Sequence, residues 1–208
     1  MTEHDRGFTE ERRLAHRDAC HAVSTSQLLV LSGIEYSDAT NLVHVLVWGD
    51  VPFFGEGLPT RDLLEHVTAA GGVAVLAHPS RKEAWKQFDP SWCRHLLGIE
   101  VWNRKTDGWA PSRHAYPLLN GNNCVQFVGL DFHDSNQFFP LAMELEIKSE
   151  IDEAGVLEAF RTKRCFAKAF GASFEQKDSN WWMPALRTAE LGRRSAARIY
   201  RKLAGGRR

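Results

Sequence analysis

The segment VGLDFHD, residues 128–134, places an aspartate and a histidine two positions apart at the end of a short apolar run. In a β-strand the side chains alternate between faces, so Asp131 and His133 would point to one side and Phe132 to the other. Carboxylate and imidazole are both ligand groups for divalent metals. The spacing therefore predicts that two metal-ligand side chains converge at one strand end.

Other polar residues stand at the ends of apolar runs. Glu35, His78 and Glu100 each end such a run, whereas His44 lies near the start of one, on a face shared with leucines. In parallel α/β barrels, catalytic groups collect at the carboxyl ends of strands, because the strand ends hold them rigidly. A ring of histidines and carboxylates at that rim indicates a metal site.

Each of these residues also has an ordinary structural interpretation. His44, surrounded by valines and leucines, could be a core histidine that is hydrogen-bonded to backbone, and His78 could simply end its strand. Glu35 and Glu100 could cap loops or pair with arginines. It is the joint pattern that favours a metal site over four separate structural roles.

Hydrophobic periodicity and turn residues outline the elements that must position these groups. Apolar runs predict strands at 28–36, 42–49, 73–79, 98–103, 124–133 and 141–147. Helices are predicted at 9–23, at 58–72 with Thr60 as its N-cap, from near Ser112, at 153–164 and in the basic segment 186–208. Segment 174–184 is expected to be a loop. Strands that alternate with helices predict a largely parallel α/β sheet or barrel.

Composition sets broad limits on function. Lys+Arg and Asp+Glu both number 26 in 208 residues, so charge gives no reason to expect nucleic-acid or membrane binding. The four cysteines show no CxxC pair, which is typical of a reducing compartment. No apolar run approaches the roughly 20 residues that span a bilayer, and the first residues lack a signal core. We expect a soluble cytoplasmic protein with buried thiols.

Several ordered segments resemble those of the PHP (polymerase and histidinol phosphatase) domain family. They are TEHD at 2–5, GIEYS at 33–37, HVLVWG at 44–49, VAVLAHPSR at 73–81, GIEVWN at 98–103 and GLDFHDS at 129–135. The ordered set is more specific than any single segment, and it covers roughly residues 1–170. Residues 171–208 would form a C-terminal loop and a basic helix that packs on or trails the same domain.

The resemblance implies a distorted (β/α)7 barrel of PHP type, with up to three divalent ions, zinc, manganese or iron, in a cleft at the strand ends. Glu35 resembles the carboxylate that bridges two metals in that family. His44 and His78 resemble the histidines that hold one of those metals.

The remaining ligands and the reaction are also implied by the resemblance. Asp131 resembles the late aspartate ligand, and His4 and His133 resemble two ligands of the third ion. The implied reaction is hydrolysis of a small phosphate ester by metal-activated hydroxide, with Glu35, Asp131 and His133 as catalytic residues. Arg81 could bind a phosphate oxygen in bidentate fashion, and a surface ion pair is its equally weighted alternative.

The chain departs from the family at its start. PHP domains begin with a strand that carries an HxH pair, whereas here TEHD already occupies residues 2–5. The resemblance therefore implies a barrel that lacks its first strand, weak activity, and an open sheet edge that favours a homo-oligomer. The alternative is a catalytically impaired or truncated PHP domain that acts as a metal-binding or partner-binding module.

Two further groups of residues are weaker candidates. His16, Cys20 and His21 could lie together on a helix and bind zinc, although ordinary helix packing explains them more simply. Four tryptophans could stack on a nucleoside or sugar, although core or loop packing is the simpler explanation. They are Trp102, Trp109, Trp181 and Trp182.

Overall fold

Nine strands and five α-helices are present in the described part of the chain. A computed structural model of the protein describes residues 1–148, 150–173 and 182–205. A six-stranded sheet contains, in spatial order, β1 (Thr2–His4), β2 (Gly33–Ser37), β3 (His44–Trp48), β4 (Val73–Ala77), β5 (Leu96–Asn103) and β6 (Val125–Gly129). A separate antiparallel sheet contains β7 (Leu141–Leu145), β8 (Cys165–Ala169) and β9 (Ala172–Ser173). The helices are α1 (Glu10–Val23), α2 (Thr60–Ala69), α3 (Arg104–Asp107), α4 (Glu153–Arg161) and α5 (Trp182–Gly205).

The prediction of an α/β fold is confirmed, but the predicted distorted (β/α)7 barrel that lacks its first strand is wrong. The larger sheet is mixed, because β3 runs antiparallel to both of its neighbours, β2 and β4. A parallel pair needs a crossover of about a dozen residues or more. Residues 38–43 are too few for that crossover, and Asp38 closes a turn there by accepting the backbone N–H groups of Leu42 and Val43. Two sheets and a hairpin-like connection therefore replace the barrel.

The local helix predictions differ in outcome. The helix predicted at 9–23 is confirmed as α1, and the Thr9 side chain caps it by accepting the Arg12 N–H. The N-cap prediction at Thr60 is wrong by one position, because Pro59 precedes the helix. The helix predicted from near Ser112 is also wrong: Ser112 donates its N–H to the Val101 carbonyl, and only a short 3₁₀ turn follows.

Both faces of the larger sheet are covered, which explains its apolar central strands. Every residue of β4 and β5 is buried. Alternate residues of β4 face opposite ways: Leu76 packs in a core cluster that includes α2, and Val75 packs in a second cluster that includes α4. The sheet is thus a central layer that can hold side chains rigidly at its ends.

Strand direction brings the polar residues of the larger sheet to one edge. The parallel strands β1, β2, β4, β5 and β6 end at this edge, and the antiparallel β3 begins there. The register pairs His4 with Glu35, and it pairs His44 with Ser37 on one side and with Ala77 on the other. The predicted rim of polar side chains therefore exists without a barrel. Within the described strands β1 pairs only with β2, so a homo-oligomer through this sheet edge stays a prediction.

The C-terminal helix α5 is fastened to the segment after β5. The carboxylate of Glu190 accepts the Trp109 N–H at 3.1 Å and hydrogen bonds from Arg193 and Arg194. Burial would raise the pKa of Glu190, but the two arginines outweigh it and lower the pKa to about 2. Among the described helices, none has the length together with the apolar content that a membrane crossing requires.

Gly129 at the end of β6 is expected to tolerate no side chain. A Cβ at this position would overlap Oε1 of the buried Glu100, whereas at Gly192 in α5 a Cβ would meet no described atom within 4 Å. We expect Gly129→Ala to destabilise the protein by about 1–3 kcal/mol, because the packed carboxylate must move. Gly192→Ala should raise stability by about 0.5–1 kcal/mol. Urea unfolding measures both, and equal stabilities for the two variants would contradict this packing.

Candidate metal centre

Three buried side chains meet at the polar edge of the larger sheet. They are Glu35 of β2, His44 of β3 and His78, which follows β4, and their ligand atoms lie within 4.8 Å of one another. His44 Nδ1 lies 2.5 Å and His78 Nε2 3.1 Å from the same oxygen, Glu35 Oε1. Two imidazoles and one carboxylate are a ligand set that metal sites commonly use. This buried trio could bind a metal ion.

Strand register explains why Glu35 and His44 meet. Glu35 lies opposite Leu46 in the antiparallel pair, and His44 is two residues from Leu46 on the same face. The two side chains are therefore diagonal neighbours across the strands, close enough for long side chains to touch. The face that His44 shares with leucines was visible in the sequence, but its partner across the sheet was not.

His78 joins the trio through an unusual backbone conformation. Its φ of +25° is rare for a residue with a large side chain. Its N–H donates to Glu100 Oε2 at 2.6 Å, and Asn103 Nδ2 donates to the same oxygen at 3.0 Å. Glu100 therefore holds the backbone of His78 in place. Burial raises the pKa of the Glu100 carboxyl to about 7, although its hydrogen bonds act to lower it. Strained backbone held by buried polar contacts is common at functional sites.

The electrostatics of the trio keep its carboxylate ionised, whereas the raised pKa of His78 means that a metal ion must displace a proton from that imidazole. Burial would raise the pKa of Glu35, but hydrogen bonds from His44 and His78 outweigh it and hold the pKa well below its usual range. Burial would lower the pKa of His78, yet the Glu35 hydrogen bond and nearby carboxylate charges raise it. His78 Nδ1 is buried and has no hydrogen-bond partner among the described residues. The carboxylate is thus in its metal-ligand form, and one imidazole nitrogen is unsatisfied.

A second, more exposed group adjoins the trio through the other oxygen of Glu35. Glu35 Oε2 lies 3.6 Å from His4 Nδ1, and the His4 ring lies 6.1 Å from the His133 ring, centroid to centroid. His133 Nδ1 lies 3.1 Å from Asp131 Oδ1. Lys105 Nζ lies 3.1 Å from that oxygen and 3.3 Å from each His133 ring nitrogen. Glu35 therefore links the two histidines of the trio to this exposed group.

Asp131 and His133 do not share a strand face, so the reason given for their convergence is wrong. The strand predicted at 124–133 ends at Gly129, before either residue. Asp131 instead has a left-handed φ of +49°, and His133 Nδ1 lies 2.9 Å from the Asp131 carbonyl oxygen. A tight loop turn brings the two side chains together.

A cavity of about 870 Å³ opens beside the trio. His4, His44 and Arg81 line it, together with carboxylates such as Asp38. Arg81 Nη1 donates to the Asn41 carbonyl at 3.0 Å and lies 3.1 Å from His44 Nε2. Arg81 thus lines the cavity, and its role as a phosphate ligand stays a prediction.

Lys105 is the site residue that sequence reasoning missed. It lies in the short helix α3, whose N-cap is Asn103: the Asn103 side chain accepts the Thr106 N–H at 3.0 Å. An asparagine directly after an apolar run is a recognisable helix-start signal, and it could have located α3. Nothing in the local pattern indicates that a lysine there reaches residues 131–133, because that contact spans 26 to 28 positions.

The weaker candidates do not form sites in the structure. Cys20 Sγ lies 3.8 Å from His16 Nε2, but His21 faces Glu153 instead. Among the described residues the trio is the sole cluster of metal-ligand groups, and all four cysteines are free. Trp102 is fully buried, as its packing interpretation predicts. Of the other three, Trp109 lies beneath Arg193, Trp181 lies outside the described residues, and the side chain of Trp182 is not described.

No model of a known protein family matches the chain, and no curated protein matches it. The resemblance to PHP domains therefore stays a prediction that rests on the ordered motifs alone.

Proposed function

We propose that the protein is a divalent-metal-dependent hydrolase that acts on a small phosphate ester. The observation that supports this most directly is the buried trio of Glu35, His44 and His78, which lies beside an open cavity. A bound divalent ion would supply Lewis-acid activation of water and would neutralise charge on the phosphoryl group. Imidazole with carboxylate suits zinc, manganese or iron.

Fixed positive charge on two sides of the trio fits a phosphoryl group. Arg81 lies next to His44, and its planar guanidinium can bind two phosphoryl oxygens at once. Lys105 lies on the other side, where Asp131 holds its ammonium group. Charges that are already in place when negative charge develops on the phosphoryl oxygens lower the barrier, because they need little reorganisation.

His133 is the proposed proton donor. Its ring is oriented by Asp131, whose side-chain oxygen lies 3.1 Å from His133 Nδ1. As water adds to phosphorus and the ester P–O bond breaks, protonated His133 can give its proton to the departing alcohol oxygen; one proton of the attacking water then restores His133, and the other stays on the phosphate product. Glu35 holds the trio together and, through its second oxygen, keeps His4 near the same position.

The substrate class follows from the cavity and from overall charge. A volume of about 870 Å³ lies in the range of small-molecule sites. The balanced net charge of the chain favours a small molecule over a nucleic acid as the substrate. A small phosphorylated molecule is therefore the substrate that we propose.

One observation favours a second candidate, a metal-binding or partner-binding module with impaired catalysis. The ammonium group of Lys105 lies between Asp131 and His133, the two side chains that a second ion would need as ligands. A site restricted to one ion could not hold a water between two metals. The two candidates thus assign opposite roles to Lys105.

Hydrolysis of a generic aryl phosphate with added Mn²⁺ or Zn²⁺ tests the proposed function. We expect Asp131→Asn to lower the rate about tenfold or more, because a neutral amide holds Lys105 and His133 less firmly. Asp62→Asn, an exposed position on α2, is the matched control and should keep the full rate. Undiminished turnover in folded Asp131→Asn would place any activity elsewhere, and a metal-loaded wild type without turnover would favour the module.

A further inference from the structure

A second cavity, of about 680 Å³, opens at the opposite edge of the larger sheet. Its walls are the first residues of β4 and β5, the segment 121–123 before β6, and the chain at the ends of α2 and α4. The metal centre lies at the other ends of these same strands. Five residues of β4 separate the two edges by about 15 Å, so the cavity is not part of that centre.

All charged side chains among the described residues that line this cavity are basic. They are Arg94, Arg161 and Lys163, with His95 beside them. Glu65 lies 3.6 Å from Arg94, but both side chains are largely exposed and Glu65 does not line the cavity. In a chain with equal numbers of acidic and basic residues, three cations around one concavity produce a local positive potential that attracts anions.

Two of these cations are held by backbone carbonyls. Arg161 Nη2 donates to the Gly71 carbonyl at 2.5 Å, and Lys163 Nζ donates to the Asn123 carbonyl. A guanidinium has five N–H donors and an ammonium has three, so the bond to the backbone carbonyl uses one donor of each side chain and leaves the others for a ligand. Side chains that are fixed in this way lose less conformational entropy when a ligand binds.

A short hydrogen-bond chain positions the third cation. Arg94 Nε donates to His95 Nε2 at 2.9 Å, which makes that nitrogen an acceptor. The neutral ring then donates from Nδ1 to Thr68 Oγ1 at 2.8 Å, and Thr68 passes its hydrogen to the Leu64 carbonyl at 2.9 Å. Of the two terminal nitrogens of Arg94, Nη2 lies 3.6 Å from Glu65, and Nη1 is left for a ligand.

We propose that this cavity binds a small, multiply charged anion that carries a di- or triphosphate group. Three positioned cations with many remaining donors match the several oxygens of such a group better than they match a single carboxylate. The cavity volume lies in the range of small-molecule sites. Because the ligand lies at the far edge of the sheet, its binding needs neither the metal ion nor the trio.

Calorimetric titration of metal-stripped protein with pyrophosphate tests the proposal. Stripping matters because pyrophosphate would otherwise chelate an ion at the metal centre. The double variant Arg161→Gln/Lys163→Gln is expected to bind pyrophosphate about tenfold more weakly or worse, because two cationic contacts are lost. The control Lys86→Gln/Lys148→Gln carries the same change in net charge at exposed positions outside the cavity and should bind as wild type.

Alkylation of Cys93, which lines the cavity, gives an independent measurement. Pyrophosphate should slow the reaction of Cys93 with iodoacetamide in wild type and in the control Lys86→Gln/Lys148→Gln, but not in Arg161→Gln/Lys163→Gln. The single variant Lys163→Gln replaces the pair if circular dichroism shows that the pair unfolds. Three results would each overturn the proposal. The first is equal pyrophosphate affinity in Arg161→Gln/Lys163→Gln and wild type, and the second is an equal loss of affinity in both double variants. The third is that millimolar pyrophosphate gives wild type neither a heat of binding nor protection of Cys93 from alkylation. None of these outcomes bears on the metal-dependent hydrolase, since the protein is free of metal throughout.

Discussion

Replacing Glu35 with glutamine, or His78 with alanine, is expected to weaken divalent-metal binding by about 100-fold or more. Each substitution removes one of the three ligands that cluster among the described residues and leaves the other two with an incomplete site. Glu35→Gln also removes the negative charge that holds His44 and His78 at 2.5 and 3.1 Å. Elemental analysis after mild chelation and dialysis measures the bound metal. Competition against a chromophoric chelator then measures the loss of metal affinity.

His21→Ala is the matched control for metal binding. His21 lies exposed on α1 and faces Glu153, and it belongs to the weaker group with His16 and Cys20. Metal content equal to that of wild type is expected for this variant. Equal and negligible metal in wild type, Glu35→Gln and His78→Ala would remove the basis of the metal centre, whereas a loss confined to His21→Ala would move the site to α1.

Lys105→Met is expected to lower the rate of aryl phosphate hydrolysis by about 100-fold, with one metal ion per chain before and after the substitution. The physical reason is that Lys105 supplies a fixed positive charge next to Asp131 and His133, and methionine keeps the length of the side chain without the charge. Steady-state kinetics and metal content are measured on the same preparation. Lys86→Met, which removes an exposed ammonium elsewhere, should change neither.

The opposite result for Lys105→Met would identify the second candidate function. If the lysine ammonium only fills the position of a cation, its removal frees Asp131 and His133 as ligands. The variant would then bind a second ion, and its rate would stay the same or rise. That outcome would contradict a catalytic role for Lys105 and would support a module whose hydrolytic site is blocked by its own side chain.

The sequence by itself located most of the polar edge. Glu35, His78 and Glu100 stand near the ends of apolar runs, and runs that form neighbouring parallel strands must end at the same sheet edge. A local signal also predicted α1, because the pattern of charged and apolar residues that favours a helix acts within a few residues. These features depend on interactions between residues that are close in the chain, so they can be predicted from the sequence.

Only the tertiary structure decided how the strands pair and which side chains meet. Whether β3 lies parallel or antiparallel to β2 depends on the path of residues 38–43, and that path placed His44 against Glu35 and excluded the barrel. The contact of Lys105 with Asp131 and the basic cavity at the far edge join segments that are distant in the chain. The pattern of apolar residues indicates which face of an element is buried, but it does not indicate which distant element packs on that face. Long-range pairing therefore determined the metal centre, the lysine beside it and the second cavity.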